Sequence, residues 1–209
     1  VWSEENSPIG VLIWSFGKRW VRQENLKRPG KWYWILQIGT LDMLVNKDFE
    51  ELFRLLNSVQ AKYLVVGAYA VIFHTEPRYT KDIDVWVKSD PDNANKVYKA
   101  LRNFGAPLMD LTIKDLEKST TVYQIGVEPN RIDILTGIGG ISFEKAWQRR
   151  RKDYYGHERI SILDLKDVIK AKKNAGRKQD LLDLEVLKIA QRKKPKKTAL
   201  KKNNKFAKA

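Results

Sequence analysis

The chain has no cysteine among its 209 residues. That excludes disulfides, zinc–thiolate sites and thiol catalysis, and it fits a cytoplasmic protein. No apolar run approaches the length that crosses a bilayer, so no membrane partner is expected. The amino-terminal segment lacks the basic start and small-residue cleavage site of a secretory signal. No internal repeat is present. Acid is missing from one long stretch: residues 188–209 hold ten Lys or Arg and no Asp or Glu.

The net charge of +15 is therefore mostly local. Residues 1–42 hold six basic residues against four acids, and residues 43–187 hold 24 against 21. Few apolar residues accompany the terminal charges, so 191–209 reads as a disordered basic tail. Two roles stand for it: non-specific binding to RNA or DNA phosphates, or simple solubilisation. At the other end, residues 1–42 carry five of the seven tryptophans, at Trp2, Trp14, Trp20, Trp32 and Trp34, in apolar patches such as VLIWSF and WYWILQI. The first convincing amphipathic helix begins only after Leu41, which makes Met43 the expected natural start and 1–42 upstream sequence. The rival reading is a packing or partner-binding arm.

With 43% hydrophobic residues, the remaining 43–190 can bury one substantial core. Its pattern predicts one α/β (α+β) domain. A helix over 47–59 places Phe49, Leu52, Phe53, Leu56 and Val59 on one side. A buried strand at Tyr63–Val66, a turn at Gly67 and a short helix over Ala68–His74 come next. The strand at Asp82 precedes a helix that starts near Pro91, capped by Asp90, and stops at Gly105. Strands over 121–127 and 131–135, a helix from Phe143 to about Arg151 and a short strand at 159–162 follow. Ser161 and Asp164 read as a capping-box-like start for a helix that ends at Gly176, and a final helix spans about 178–190. The pair Gly139–Gly140 reads as a turn.

The chemistry sits in the strands. In KDIDVWV, Asp82 and Asp84 are two apart on a strand, so they leave the same face about 6.5–7 Å from each other. Asp133 lies in RIDIL, and pairing that strand beside the first would bring a third carboxylate to the same edge. Oxygen ligands in this number suit Mg²⁺ or Mn²⁺. Two such ions about 4 Å apart can activate an attacking oxygen and stabilise a leaving pyrophosphate, which is phosphoryl or nucleotidyl transfer. The plainer reading is a set of solvated, edge-protecting acids. Gly67 divides the same way, between an ordinary strand-to-helix turn and a helix start whose N–H groups hold phosphate.

The stretches YLVVGAYAVIFHTEPRYTKDIDVWV, RIDILTGIGGISFEKAW and VIKAKKNAGRKQDLLDLEVL together resemble the DNA polymerase β-type nucleotidyltransferase superfamily, and within it the small AbiEii-type toxin nucleotidyltransferases, over roughly Met43 to Ala190. The resemblance implies a short mixed sheet flanked by helices, with a helical pair at its C-terminal end. It implies Asp82, Asp84 and Asp133 as catalytic metal ligands, Asp133 also as base, and Gly67 with Ala68 at the triphosphate. It implies transfer of NMP from an NTP to a hydroxyl of RNA, particularly tRNA, or of protein, in some settings by a toxin with a cognate antitoxin.

Two details depart from the family pattern. Ala68 stands where a second glycine or a serine is usual, which removes a hydroxyl from the phosphate turn. The family run H-G-x-x-R-x-T-x-D appears as His74, Thr75, Arg78, Thr80 and Asp82, with Thr75 in the glycine position. Arg78 suits bidentate phosphate contact or stands solvated before the strand. His74 reads as a packed or locally bonded histidine. The family spacing K-x4-R-x2-D-x2-D is met by Lys172, Arg177, Asp180 and Asp183. Lys172 and Arg177 are either phosphate-gripping groups or a solvated face, and the two acids have a capping role as their plainer reading. Two other functions remain open at this stage: a catalytically silent module that binds nucleotide or nucleic acid, and a hydrolytic nuclease using the same carboxylates.

Overall fold

Tyr63, Leu64 and Val65, all buried, form the short strand on which the rest of the sheet is laid. The computed structural model describes residues 45–76, 80, 82–127 and 130–193. The Trp-rich segment 1–42, the phosphate candidate Arg78 and the tail beyond Lys193 lie outside the described residues.

In chain order the elements are α1 (Lys47–Ser58), β1 (Tyr63–Val65), α2 (Gly67–His74), β2 (Asp82–Val87), α3 (Pro91–Phe104), α4 (Ile113–Glu117), β3 (Val122–Ile125), β4 (Arg131–Leu135), α5 (Phe143–Arg149), β5 (Arg151–Tyr155), β6 (Glu158–Ile162), α6 (Leu165–Ala175) and α7 (Lys178–Lys193). The strands make one six-stranded mixed sheet in the order β3-β4-β2-β1-β6-β5. Pairings β2–β4 and β1–β6 are parallel, and β1–β2, β3–β4 and β5–β6 are antiparallel. The expected α/β class, a mixed sheet flanked by helices and ending in a helical pair, is the fold observed.

Local chemistry explains the helix ends. Asn46 caps α1 by accepting from the N–H groups of Asp48 and Phe49, while Asp48 and Glu50 set negative charge at its positive end. Its inward face, Phe49, Leu52, Phe53, Leu55 and Leu56, is buried, at about 1.5–3 kcal/mol of transfer free energy for each large side chain. Asp90 and Pro91 start α3, and Gly105 ends it at φ 81°. The face of α1 meets Tyr63, Tyr69 and Tyr155 in an aromatic cluster whose ring centroids lie 5.5–6.3 Å apart.

Three expectations are corrected. The helix that starts at Phe143 ends at Arg149, because Arg150 turns extended and Arg151 opens β5, a strand the sequence reading did not anticipate. β5 joins β6 through Gly156 and His157, with Gly156 at φ 57° supplying the left-handed corner of a two-residue hairpin. Ser161 lies inside β6, and the cap of α6 is Asp164, which accepts from the N–H of Lys166. The last helix continues to Lys193, beyond the expected end at Ala190. α4 is a further element the sequence did not announce. Its capping box has Asp in the usual Glu position, with the Thr112 and Asp115 side chains each bonded to the other's backbone.

Candidate active site

Strand alternation divides β2 into two faces. Ile83, Val85 and Val87 point into one side of the core, whereas Asp82 and Asp84 share the other face with Trp86. The parallel register sets Arg131 opposite Asp82 and Asp133 opposite Asp84. Three carboxylates and one guanidinium therefore leave the same face of two adjacent strands. Further along that face Trp86 is buried against the ring of Phe143 from α5, at 5.0 Å; at the other end Asp82 and Arg131 are partly exposed, while Asp133 is buried.

Arg131 spans the row diagonally. Its Nη2 donates to Asp82 Oδ2 at 2.8 Å and its Nε donates to Asp133 Oδ1 at 3.0 Å. Asp133 also accepts from Gln124 Nε2 on β3 at 3.2 Å, and Asp82 accepts from the hydroxyl of Thr80 at 3.0 Å. Among the described residues no three acidic, His or Cys side chains converge as a ready ligand set.

Asp84 is held differently. Val66 donates its N–H to the carbonyl of Asp84 at 2.9 Å, ending β1, and Gly67 then turns at φ 56° into α2. A β-carbon on Gly67 would overlap Asp84 Oδ2, so the carboxylate rests directly on the glycine backbone at the start of α2. That helix has no side-chain cap, and Ala68 stands half-buried in its first turn. Burial first, then the negative charges of Asp82 and Asp133, push the Asp84 carboxyl up to about 6, against the opposing pull of Lys172 and Arg177.

Those two cations come from the elbow between α6 and α7, formed where Gly176 takes φ 63°. Lys172 Nζ lies 2.8 Å from both Asp180 Oδ1 and Asp183 Oδ2, and all three side chains are nearly buried. Arg177 is largely exposed; its backbone N–H donates to Asp180 Oδ2 at 3.2 Å, and its Nε stands 3.4 Å from the same oxygen. The spaced set Lys172, Arg177, Asp180 and Asp183 is thus one cluster. The two acids clamp a lysine, and of the two only Asp180 sits in the first turn of α7. His74 Nε2 is 2.7 Å from the carbonyl oxygen of Leu163, a bond to backbone far along the chain and not the local one its sequence context offered.

The donor chemistry of the row fits a hard divalent cation. All three acids offer oxygen only, they outnumber the cation now bound to two of them, and the third has its charge disfavoured by burial first and then by the other two. Sequence reasoning missed Arg131 and Gln124. Arg131 is two residues before Asp133 and so shares its face, a signal the strand period contains. Nothing in the sequence marks Gln124.

No protein-family model and no curated protein matches this chain. Among solved structures it is similar to the crystal structure of the lincosamide antibiotic adenylyltransferase LnuA with lincomycin bound. The identity is 16%, the match covers 68% of this chain and 96% of that one, and the TM-score is 0.46. Among the described residues no helix is long and apolar enough to cross a membrane.

Proposed function

We propose that this protein is a metal-dependent nucleotidyltransferase that moves NMP from an NTP to a hydroxyl. The observation that carries the reading is the in-register pair Asp84 and Asp133, with Asp82 on the same face and Gly67 closed against Asp84. Asp82, Asp84 and Asp133 would hold Mg²⁺ or Mn²⁺. When bound, the metal supplies positive charge to the triphosphate and lowers the pKa of the attacking hydroxyl. The acceptor oxygen forms its bond to the α-phosphorus, the bond to the β-phosphate oxygen breaks, and pyrophosphate leaves with that electron pair. Asp133 takes the hydroxyl proton.

The uncapped start of α2 supports a phosphate role for the backbone N–H groups at Gly67 and Ala68. Lys172 and Arg177, whose charges reach Asp84, and Arg78 are the side chains we assign to the nucleotide. The acceptor we favour is RNA, tRNA in particular, on the strength of the basic terminal run. A protein hydroxyl is the other acceptor class. A toxin working against a cognate antitoxin, in the cytoplasm, is the setting we propose.

One observation favours a second reading, a silent module that binds nucleotide or nucleic acid: Arg131 already neutralises two of the three acids. One experiment separates them. Each α-³²P-labelled NTP is offered with total RNA and protein in Mg²⁺ or Mn²⁺, beside the Asp82→Ala, Asp84→Ala double variant. Label that appears only with the intact acids establishes transfer and names base and acceptor. Binding without label under every metal and base leaves the silent module.

A further inference from the structure

Arg131 is half-buried, with 28% of its side chain exposed, and its planar group gives one donor to Asp82 and another to Asp133. The two acids belong to neighbouring parallel strands, so one guanidinium ties β2 to β4 across the row. A guanidinium stays protonated at any pH a folded protein meets. It therefore leaves these carboxylates only by displacement. It occupies one oxygen of each acid, Asp82 Oδ2 and Asp133 Oδ1, so a divalent ion drawn to the same pair competes with it for their charge and for the space between them.

We propose that Arg131 is a positioning residue of the acid row, the resident counter-cation of Asp82 and Asp133, and that a divalent ion enters by displacing it. This rests on the metal-binding reading above. The apparent metal affinity is then the intrinsic affinity reduced by the fraction of molecules in which the guanidinium has let go. The fork, and not charge alone, carries the effect, because Arg131 reaches the two carboxylates from two separate nitrogens, Nε and Nη2, held in one plane, whereas a lysine on this strand would offer a single nitrogen.

The test is Mn²⁺ binding to the full chain without nucleotide, read from the electron paramagnetic resonance of free Mn²⁺, for the wild type, Arg131→Met, Arg131→Lys and Asp82→Asn. Arg131→Met is expected to bind Mn²⁺ about tenfold or more tightly than wild type, and Arg131→Lys also more tightly. Melting in a chelator should show Arg131→Met destabilised, with Mn²⁺ restoring it. If Arg131→Met does not fold, Arg131→Lys decides the matter. Equal affinity of Arg131→Lys and wild type would reduce the residue to a through-space charge and overturn the proposal. Binding that Asp82→Asn abolishes, but that neither Arg131 variant strengthens, keeps the metal site and rejects the role of Arg131. No Mn²⁺ binding to any of the four proteins rejects both.

Discussion

Gly67 and Asp84 touch so closely that the glycine has no room for a β-carbon: the carboxylate Oδ2 occupies that space. The backbone there is left-handed as well, at φ 56°. Gly67→Ala should therefore lose about 1–3 kcal/mol from backbone strain and overlap, and about a hundredfold in transfer rate from a displaced Asp84. Gly105→Ala is the control, since Gly105 is also left-handed, at φ 81°, but has nothing within 4 Å of an added β-carbon. Urea unfolding and NTP turnover of the two variants separate strain from overlap. Equal activity in both would mean that the Gly67–Asp84 contact has no role in the chemistry.

The same carboxylate makes stability depend on pH. Burial, with Asp82 and Asp133 behind it, raises Asp84 from its ordinary 3.8 to about 6. The folded chain thus holds this proton more tightly than the unfolded chain does. Its stabilising contribution is complete below the unfolded value and is lost as pH rises through about 6. The full swing is at most about 3 kcal/mol. Asp84→Asn should therefore be more stable than wild type near pH 7.5 in a chelator and almost equal to it near pH 3, below the unfolded value, by urea unfolding. A difference that does not change with pH would place the charge penalty elsewhere.

The acid row was readable before the fold because β2 alternates strictly at its start: Ile83 and Val85 need the core, so Asp82 and Asp84 must face away. RIDIL repeats that logic for Ile132, Ile134 and Asp133. What could not be read is what depends on reach across elements. Arg131 has the right face in the sequence, but its diagonal span to Asp82 exists only once β2 and β4 are parallel and in register. The clamp on Lys172 needs the elbow at Gly176. β5 escaped because Arg151 and Lys152 are exposed on a sheet edge, where pairing with β6 decides the strand and hydrophobic alternation does not.

The terminal basic run gives a prediction of a different kind. Residues 194–209 contain seven lysines and no acid. If they contact RNA phosphates, a chain ending at Lys193 should melt as the full chain does but bind tRNA more weakly. Its log affinity should fall less steeply with log salt, by up to about six in slope. Fluorescence anisotropy across a salt series reads this directly. Identical slopes would leave the run as a solubilising segment.

Lys172 stands between two acids that have almost no solvent: Asp180 is 6% exposed and Asp183 is 3% exposed at the side chain. Removing the lysine leaves two buried negative charges facing each other, whereas removing one acid still leaves a lysine–carboxylate pair. Stability should follow that asymmetry. Lys172→Met is expected to destabilise by about 3–5 kcal/mol, and Asp183→Asn by clearly less, because Asp180 also accepts from the N–H of Arg177 and keeps the lysine neutralised. Restoring neutrality in Lys172→Met with Asp180→Asn and Asp183→Asn together should recover much of the loss. Urea unfolding of the four proteins checks the order. If Asp183→Asn is as damaging as Lys172→Met, the cluster is held by the geometry of the α6–α7 elbow and not by charge balance around the lysine.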